Sequence, residues 1–238
     1  MKSSVSVKHN VDVPDRGGYS STPEMGVHQF TESTYERNLA YIESYREEMA
    51  IAVRMLDPQP IVAAIDILFD AWVRGSTVFA MGNGGSASTA THFACDLTKW
   101  TAVEGKKRFR VLCLNDNIPL VSALTNDEGW ATVYAEQLQA WLAPGDVVVG
   151  FSVHGGSGQG NAGPWSQNLP AAMRLAKEHG ARIVGFAGDT GGLMLEIADA
   201  CIVVPTVNPS RITVYTEGMH VVLHHLVCDR LRERIVDS

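Results

Sequence analysis

Residues 78–96 read VFAMGNGGSASTATHFACD, and the fold follows from how that stretch changes character. Val78 to Met81 is a short apolar run of the length and type of a strand covered on both faces. It breaks into Gly82-Asn83-Gly84-Gly85-Ser86, and small residues then lead to His92 and Asp96 at helical spacing. Strand, glycine turn and helix in that order open a βα unit. A turn of this kind lets backbone N–H groups converge on an anion, and the helix N-terminus adds partial positive charge. Ser86 and Ser88 add hydroxyl donors. The spacing matches neither the Walker A loop nor the GxGxxG dinucleotide turn, which disfavours a nucleotide.

Working outward, the alternation repeats. Apolar runs predict strands at Thr77–Met81, Arg110–Leu114, Asp146–Phe151, Arg182–Ala187 and Ala200–Val204. Helices are expected at Ser88–Trp100, Pro119–Leu124 with Trp130–Trp141, Ser166–His179, Leu193–Ala198 and about Val214 to Arg234. Two helices precede them. In Glu32–Met55 the residues Tyr35, Leu39, Ile42, Tyr45, Met49, Ala52 and Val53 recur at helical spacing. Pro58 and Pro60 are read as its end. Ile61–Arg74 carries Ile61, Ile65, Leu68 and Trp72 on one stripe and closes at Gly75. The reading is α/β: a three-layer, doubly wound, parallel five-stranded sheet with N-terminal helices. Ligands in such sheets sit beyond the carboxyl ends of the strands. Residues 1–30, with Gly, Ser, Pro and charge but little periodicity, read as a flexible arm, and residues 31–238 as a single domain.

Composition narrows the function. The chain has 238 residues, 45% hydrophobic and 19% charged, with a formal net charge of -7. An acidic chain argues against non-specific nucleic-acid binding, which needs clustered Lys and Arg. No stretch approaches 18 unbroken apolar residues, and no signal-peptide pattern opens the chain, so a cytoplasmic protein without a membrane partner is expected. Four scattered cysteines without a CxxC pair read as buried, reduced thiols.

Three further constellations carry chemistry. Phe151-Ser152-Val153-His154-Gly155-Gly156-Ser157-Gly158-Gln159-Gly160-Asn161 follows a strand and offers more donors, although a plain surface loop has the same composition. His92 and Asp96, four apart, face one way on a helix and suit a divalent metal; a hydrogen-bonded core histidine is the alternative. Glu217, His220, His224 and His225 crowd nine residues of the last helix, and this second His–carboxylate group strengthens the metal reading.

Together these features resemble the SIS (sugar isomerase) domain and, within it, the phosphoheptose isomerases, which act on sedoheptulose 7-phosphate. The resemblance covers roughly residues 35–236 and is sharpest in GNGGSASTATHFACDLT, similar to the family's Gly-Asn-Gly-Gly-Ser followed by His-Phe-Ala-x-Glu-Leu-Thr. Asp116, TNDEG at 125–129 and GDTGG at 188–192 are weaker echoes. The resemblance implies phosphate and substrate contacts from Asn83, Gly84, Ser86 and Asp116. It extends them to Ser152, which starts a second loop of the form Ser-x-Ser-Gly-Asn-Ser. His154 stands in place of that loop's middle serine, about nine residues (Gly156 to Pro164) are inserted, and Ser166 and Asn168 resemble its end.

The resemblance further implies a divalent metal, Zn²⁺ or another, held by His92, Asp96, Glu217 and His225, with Asp96 replacing the family's Glu and Glu217 its Gln. His224 competes with His225 for the ligand position. Asp96 would act as base at carbon and His225 at the oxygens of an aldose–ketose interconversion through an enediol. The implied substrate is a phosphorylated ketose, and the implied assembly a homotetramer with sites between subunits, in which the helix Glu32–Met55 would pack. A non-catalytic sugar-phosphate sensor, or an adaptor of the kind that binds the replication initiator, is the alternative function.

Overall fold

The computed structural model describes residues 32–156 and 166–238. The arm expected at residues 1–30, and most of the insertion, lie outside them. The chain divides into two units, residues 1–41 and 42–238. The described part of the first is the opening of helix α1 (Glu32–Met55). The second holds the rest of α1 and everything that follows.

Five parallel strands form one sheet: β1 (Thr77–Gly82), β2 (Arg110–Cys113), β3 (Val147–Ser152), β4 (Arg182–Gly188) and β5 (Ala200–Val204), in the order β2-β1-β3-β4-β5. The expected doubly wound sheet is the one observed. Val78, Phe79, Ala80 and Met81 are all buried, because helices cover both faces of a parallel sheet and leave no polar side to alternate with. On one face α2 (Pro58–Arg74), α3 (Gly85–Lys99) and α8 (Ile212–Val236) pack through Ile65, Leu68, Phe93, Leu97, Leu223 and Val227. The other face carries α4 (Ile118–Asp127), α5 (Val133–Gln139), α6 (Asn168–Glu178) and α7 (Gly192–Ile197), with Tyr134, Leu169, Met173 and Met194 in its core.

Local chemistry sets the boundaries. Pro58 opens α2 rather than merely ending α1. Asp57 caps α2 by accepting the Gln59 N–H at 2.9 Å, and a proline in the first turn forfeits no helical hydrogen bond. Gly75 closes α2 in the left-handed conformation, φ 75°. The helix expected over Trp130–Trp141 is shorter, a 3-10 turn at Trp130–Thr132 followed by α5. All four cysteines are free; Cys201 and Cys228 are buried as expected, but Cys95 is exposed and Cys113 half-buried. Cys95 lies on the outer side of α3, away from Phe93 and Ala94, which face the sheet. Among the described residues no helix is long and apolar enough to cross a membrane.

Two helices matter most for the site. α3 leaves the carboxyl end of β1, and α8 begins a few residues beyond the carboxyl end of β5. Both run back along the same face and pack against each other in parallel. Residues at a constant offset along the two helices therefore meet: Gly85 is level with Glu217, and His92 with His224.

α8 also buries His220 completely between Phe151 and Phe186, ring centroids 6.0 Å away, with Nε2 3.1 Å from the Ala187 carbonyl oxygen. Burial pushes its pKa down to about 4, against a smaller upward pull from that carbonyl. The folded value lies below the unfolded one of 6.5, so this contribution to stability is complete above about pH 6.5 and is lost as pH falls toward 4. His220→Gln removes the titration. Its unfolding free energy should fall less than that of the wild type between pH 7.5 and 4.5, by about 2–3 kcal/mol. Parallel pH profiles for the two proteins in urea unfolding would contradict this.

Candidate active site

The sheet order reverses between β1 and β3, so the crevice above their carboxyl ends is the place where a ligand fits this architecture. The β1 loop there is held rigidly. Asn115, just past β2, accepts the Gly82 N–H at 3.2 Å and donates to the Gly82 carbonyl at 2.9 Å. The Tyr134 hydroxyl donates to the same carbonyl. Asn83 and Asn168 exchange reciprocal amide hydrogen bonds, both 2.9 Å, tying the β1 loop to the start of α6. Tyr134 is buried, which pushes its pKa up to about 12 and keeps the hydroxyl a donor at neutral pH. Two glycines are needed here: Gly84 has φ 58°, ψ −126°, and a Cβ on Gly82 would lie 2.3 Å from the Ser86 carbonyl oxygen.

The residues expected to contact substrate are distributed around this loop. Gly84 and Gly85 are exposed at the opening of α3, and Ser86 is buried beneath them. Asp116 is exposed and accepts the Thr91 hydroxyl at 2.8 Å. The Ser152 hydroxyl accepts the Gly156 N–H at 3.1 Å. Ser166 is half-buried, close before α6. Asn168 is buried and committed to Asn83 and to its neighbour's N–H, so it serves as a clamp.

About two helical turns along α3 lies a second constellation. His92, Asp96, His224 and His225 each offer one donor atom, and these atoms all lie within 4.8 Å of one another. Asp96 Oδ2 sits 3.6 Å from His92 Nε2, 3.5 Å from His224 Nδ1 and 3.2 Å from His225 Nε2. The His92 and His225 Nε2 atoms are 3.3 Å apart. Asp96 Oδ2 and both ring nitrogens of His224 are buried without a hydrogen-bond partner. Burial, then the neighbouring His225, His92 and His220, lowers the His224 pKa to about 3, so this imidazole is neutral at ordinary pH. A cavity of about 430 Å³ adjoins the group, lined by Asp96, Trp100, His225, Leu226 and Asp229.

Glu217, expected among the ligands, is not part of this group. Eight residues before His225 is about 12 Å up the helix, and in this structure the Glu217 carboxylate does not lean toward the group. The Glu217 carboxylate lies instead against the first turn of α3, where a Cβ on Gly85 would come within 2.4 Å of it. His224 takes the fourth place. Sequence reasoning held it as a competitor and missed Asn115 and Tyr134 entirely; an asparagine in a strand-end loop and a tyrosine in an apolar helix carry no distinctive signal.

Comparisons with known proteins agree with this fold. A family model for the SIS domain matches residues 40–188. The lincomycin biosynthesis protein LmbN of Streptomyces lincolnensis is 49% identical over 173 residues, which are 73% of this chain but 62% of that protein's length. A phosphoheptose isomerase of Geotalea daltonii is 33% identical over 194 residues, 82% of this chain and 93% of that one. Among solved structures, the phosphoheptose isomerase GmhA of Neisseria gonorrhoeae superposes with a TM-score of 0.68 at 27% identity, covering 83% of this chain and 97% of that one.

The Gly82 platform yields a direct test. Asn115→Ala removes both of its hydrogen bonds to Gly82 and should lower the unfolding free energy by about 1–3 kcal/mol. A loss below about 0.5 kcal/mol in chemical denaturation, within the range of an ordinary surface substitution, would show that the turn does not depend on it.

Proposed function

This chain belongs to the SIS-domain family and, within it, to the phosphoheptose isomerases. From that premise we propose that it interconverts the ketose and aldose forms of a sugar phosphate, sedoheptulose 7-phosphate first among them, at the His92–Asp96–His224–His225 group with a divalent cation. The observation that carries this reading is the donor set itself. A buried carboxylate oxygen without a hydrogen-bond donor, among three imidazoles of which one is neutral and unpartnered, fits a cation. Nitrogen with one carboxylate oxygen is a set that Zn²⁺ accepts. When bound there, the cation supplies Lewis acidity that polarises a carbonyl and steadies negative charge on an enediolate.

The chain's own residues divide the remaining work. Asp96 takes the proton from C1 of the ketose, and the C–H electron pair becomes the C1–C2 double bond. His225, exposed at the mouth of the cavity, gives a proton to O2 and later receives one from O1 through the ring nitrogen that it does not offer to the cation. Asp96 returns its proton to C2, and the aldose results with no net change of protons. The far end of the substrate is a phosphate. The amides opening α3 and the hydroxyls of Ser86, Ser152 and Ser166 suit it, with Asn83, Gly84 and Asp116 around them. Gly85 and His92 are seven residues apart, about 10 Å of helix, a separation that an extended acyclic sugar phosphate can bridge. Anchoring the phosphate supplies orientation rather than chemistry.

The same premise supports a homotetramer. Ile42, Val53 and Met55 lie on α1, the helix expected to pack between subunits, and all are exposed. A second subunit would cover them. A non-catalytic sensor or adaptor has no use for three imidazoles and a carboxylate gathered on one point.

Asp96→Asn should lower isomerisation at least about 10²–10⁴-fold, the usual worth of a positioned acid or base. Exchange of the C1 proton, followed by NMR in D₂O, reads it. Normal turnover by this variant would remove Asp96 as the base. Metal analysis of the purified protein separates the ligands. His224→Ala should lose bound metal, whereas Glu217→Gln should keep it; the reverse pattern would return Glu217 to the ligand set.

A further inference from the structure

The described residues that directly follow the carboxyl ends of the five strands are 83–84, 114–117, 153–156, 189–191 and 205–208. Among these His154 alone is basic. A phosphate dianion at this rim therefore finds amides and hydroxyls in abundance but few cationic side chains: His154, and Arg211 just before α8, which is already paired with Glu48 at 3.1 Å. His154 lies two residues beyond Ser152, the last residue of β3, and β3 flanks the switch point.

Its position is built rather than incidental. His154 Nδ1 is 3.6 Å from Asp189 Oδ2, just beyond β4. Two backbone hydrogen bonds join the β3 and β4 loops on either side of the pair: the Gly188 N–H donates to the Val153 carbonyl at 3.1 Å, and the Met194 N–H to the Gly155 carbonyl at 3.0 Å. The contact is so close that a Cβ on Gly155 would meet the Gly191 carbonyl oxygen at 1.9 Å. Asp189 is also the one non-glycine residue with positive φ, 56°, among the described residues. Glycine, present at 188, 191 and 192, adopts such a backbone freely. A carboxylate stands instead at the strained position, and it faces the imidazole.

We propose that His154, braced by Asp189, is the residue that grips a phosphomonoester dianion at this rim and so sets the enzyme's preference for phosphorylated sugars. An imidazolium has two N–H donors. One is turned to Asp189, which fixes the ring; the other, on Nε2, donates to a phosphate oxygen in a charge-assisted hydrogen bond. Asp189 is the positioning residue and His154 the contact. The assignment deepens the isomerase reading and rests on it for the identity of the ligand, though not for the anion site.

Calorimetric titration of the full-length protein with inorganic phosphate, in phosphate-free buffer, tests the site without turnover. His154→Ala should weaken phosphate binding about tenfold, the worth of one charge-assisted hydrogen bond. His154→Lys should recover part of it. With a ketose phosphate as substrate, the loss should fall on KM rather than on kcat. Asp189→Gly separates binding from folding: its melting temperature should be no lower than that of the wild type, because glycine accepts the backbone, while its phosphate affinity falls in the same direction. Unchanged phosphate affinity in His154→Ala would overturn the proposal. If the wild type turns over no ketose phosphate while His154→Ala still loses phosphate, the anion site stands and the isomerase reading fails. Turnover with an unaltered KM in His154→Ala would sink the role of His154 alone.

Discussion

The structure depends on one close approach, that of α3 and α8 side by side and in parallel. Their packing buries Asp96 Oδ2 without a hydrogen-bond donor and seats His224, wholly buried, against it. Unpaired buried carboxylate oxygens are costly, and so is a buried imidazole with neither nitrogen satisfied. Neutrality of His224 removes part of the cost, because an uncharged ring is cheaper to bury than a charged one. The remainder has an obvious remedy in a cation, toward which a carboxylate and neutral imidazoles are good donors.

Around this approach the fold separates two tasks. The carboxyl rim of the sheet is rich in glycine, hydroxyls and amides, and its shape is set by Asn115, Tyr134 and the Asn83–Asn168 exchange rather than by charge. Lower on the same helices the chemistry changes to imidazole and carboxylate. On the proposed reading, an anion-holding end and a proton-moving end on one pair of helices suit a molecule with a phosphate at one end and a carbonyl at the other. The rigid platform matters as much as the reactive groups, since orientation is useful only if the anchor does not shift.

Much of this was legible in the chain. Strand positions were readable because the inner strands of a parallel sheet are buried on both faces and so are plain apolar runs bounded by turn residues; only the edge strand β2 is partly exposed. His92 and Asp96 were readable as a pair because both lie on one helix, and their spacing is a local property. The identity of the fourth ligand was not. Whether His224 or His225 faces Asp96 depends on the register of α8 against α3, which is set by packing between segments more than a hundred residues apart, and in the structure both do. Family resemblance pointed to Glu217 as well, and the register sets that carboxylate against the first turn of α3 instead. Asn115 and Tyr134 were invisible for a similar reason, because their partners are backbone atoms of a distant strand. Cys95 fell on the wrong side of a helix face that apolar content alone does not define.

The central claim is that α3 and α8 together make one cation site. X-ray absorption at the zinc edge, on protein loaded with one equivalent of Zn²⁺, measures the atoms bound to the metal directly. The account predicts a shell dominated by histidine nitrogen with a carboxylate oxygen, losing histidine scattering in His224→Ala. An oxygen-only shell, or one unchanged by removing His92, His224 or His225, would contradict it.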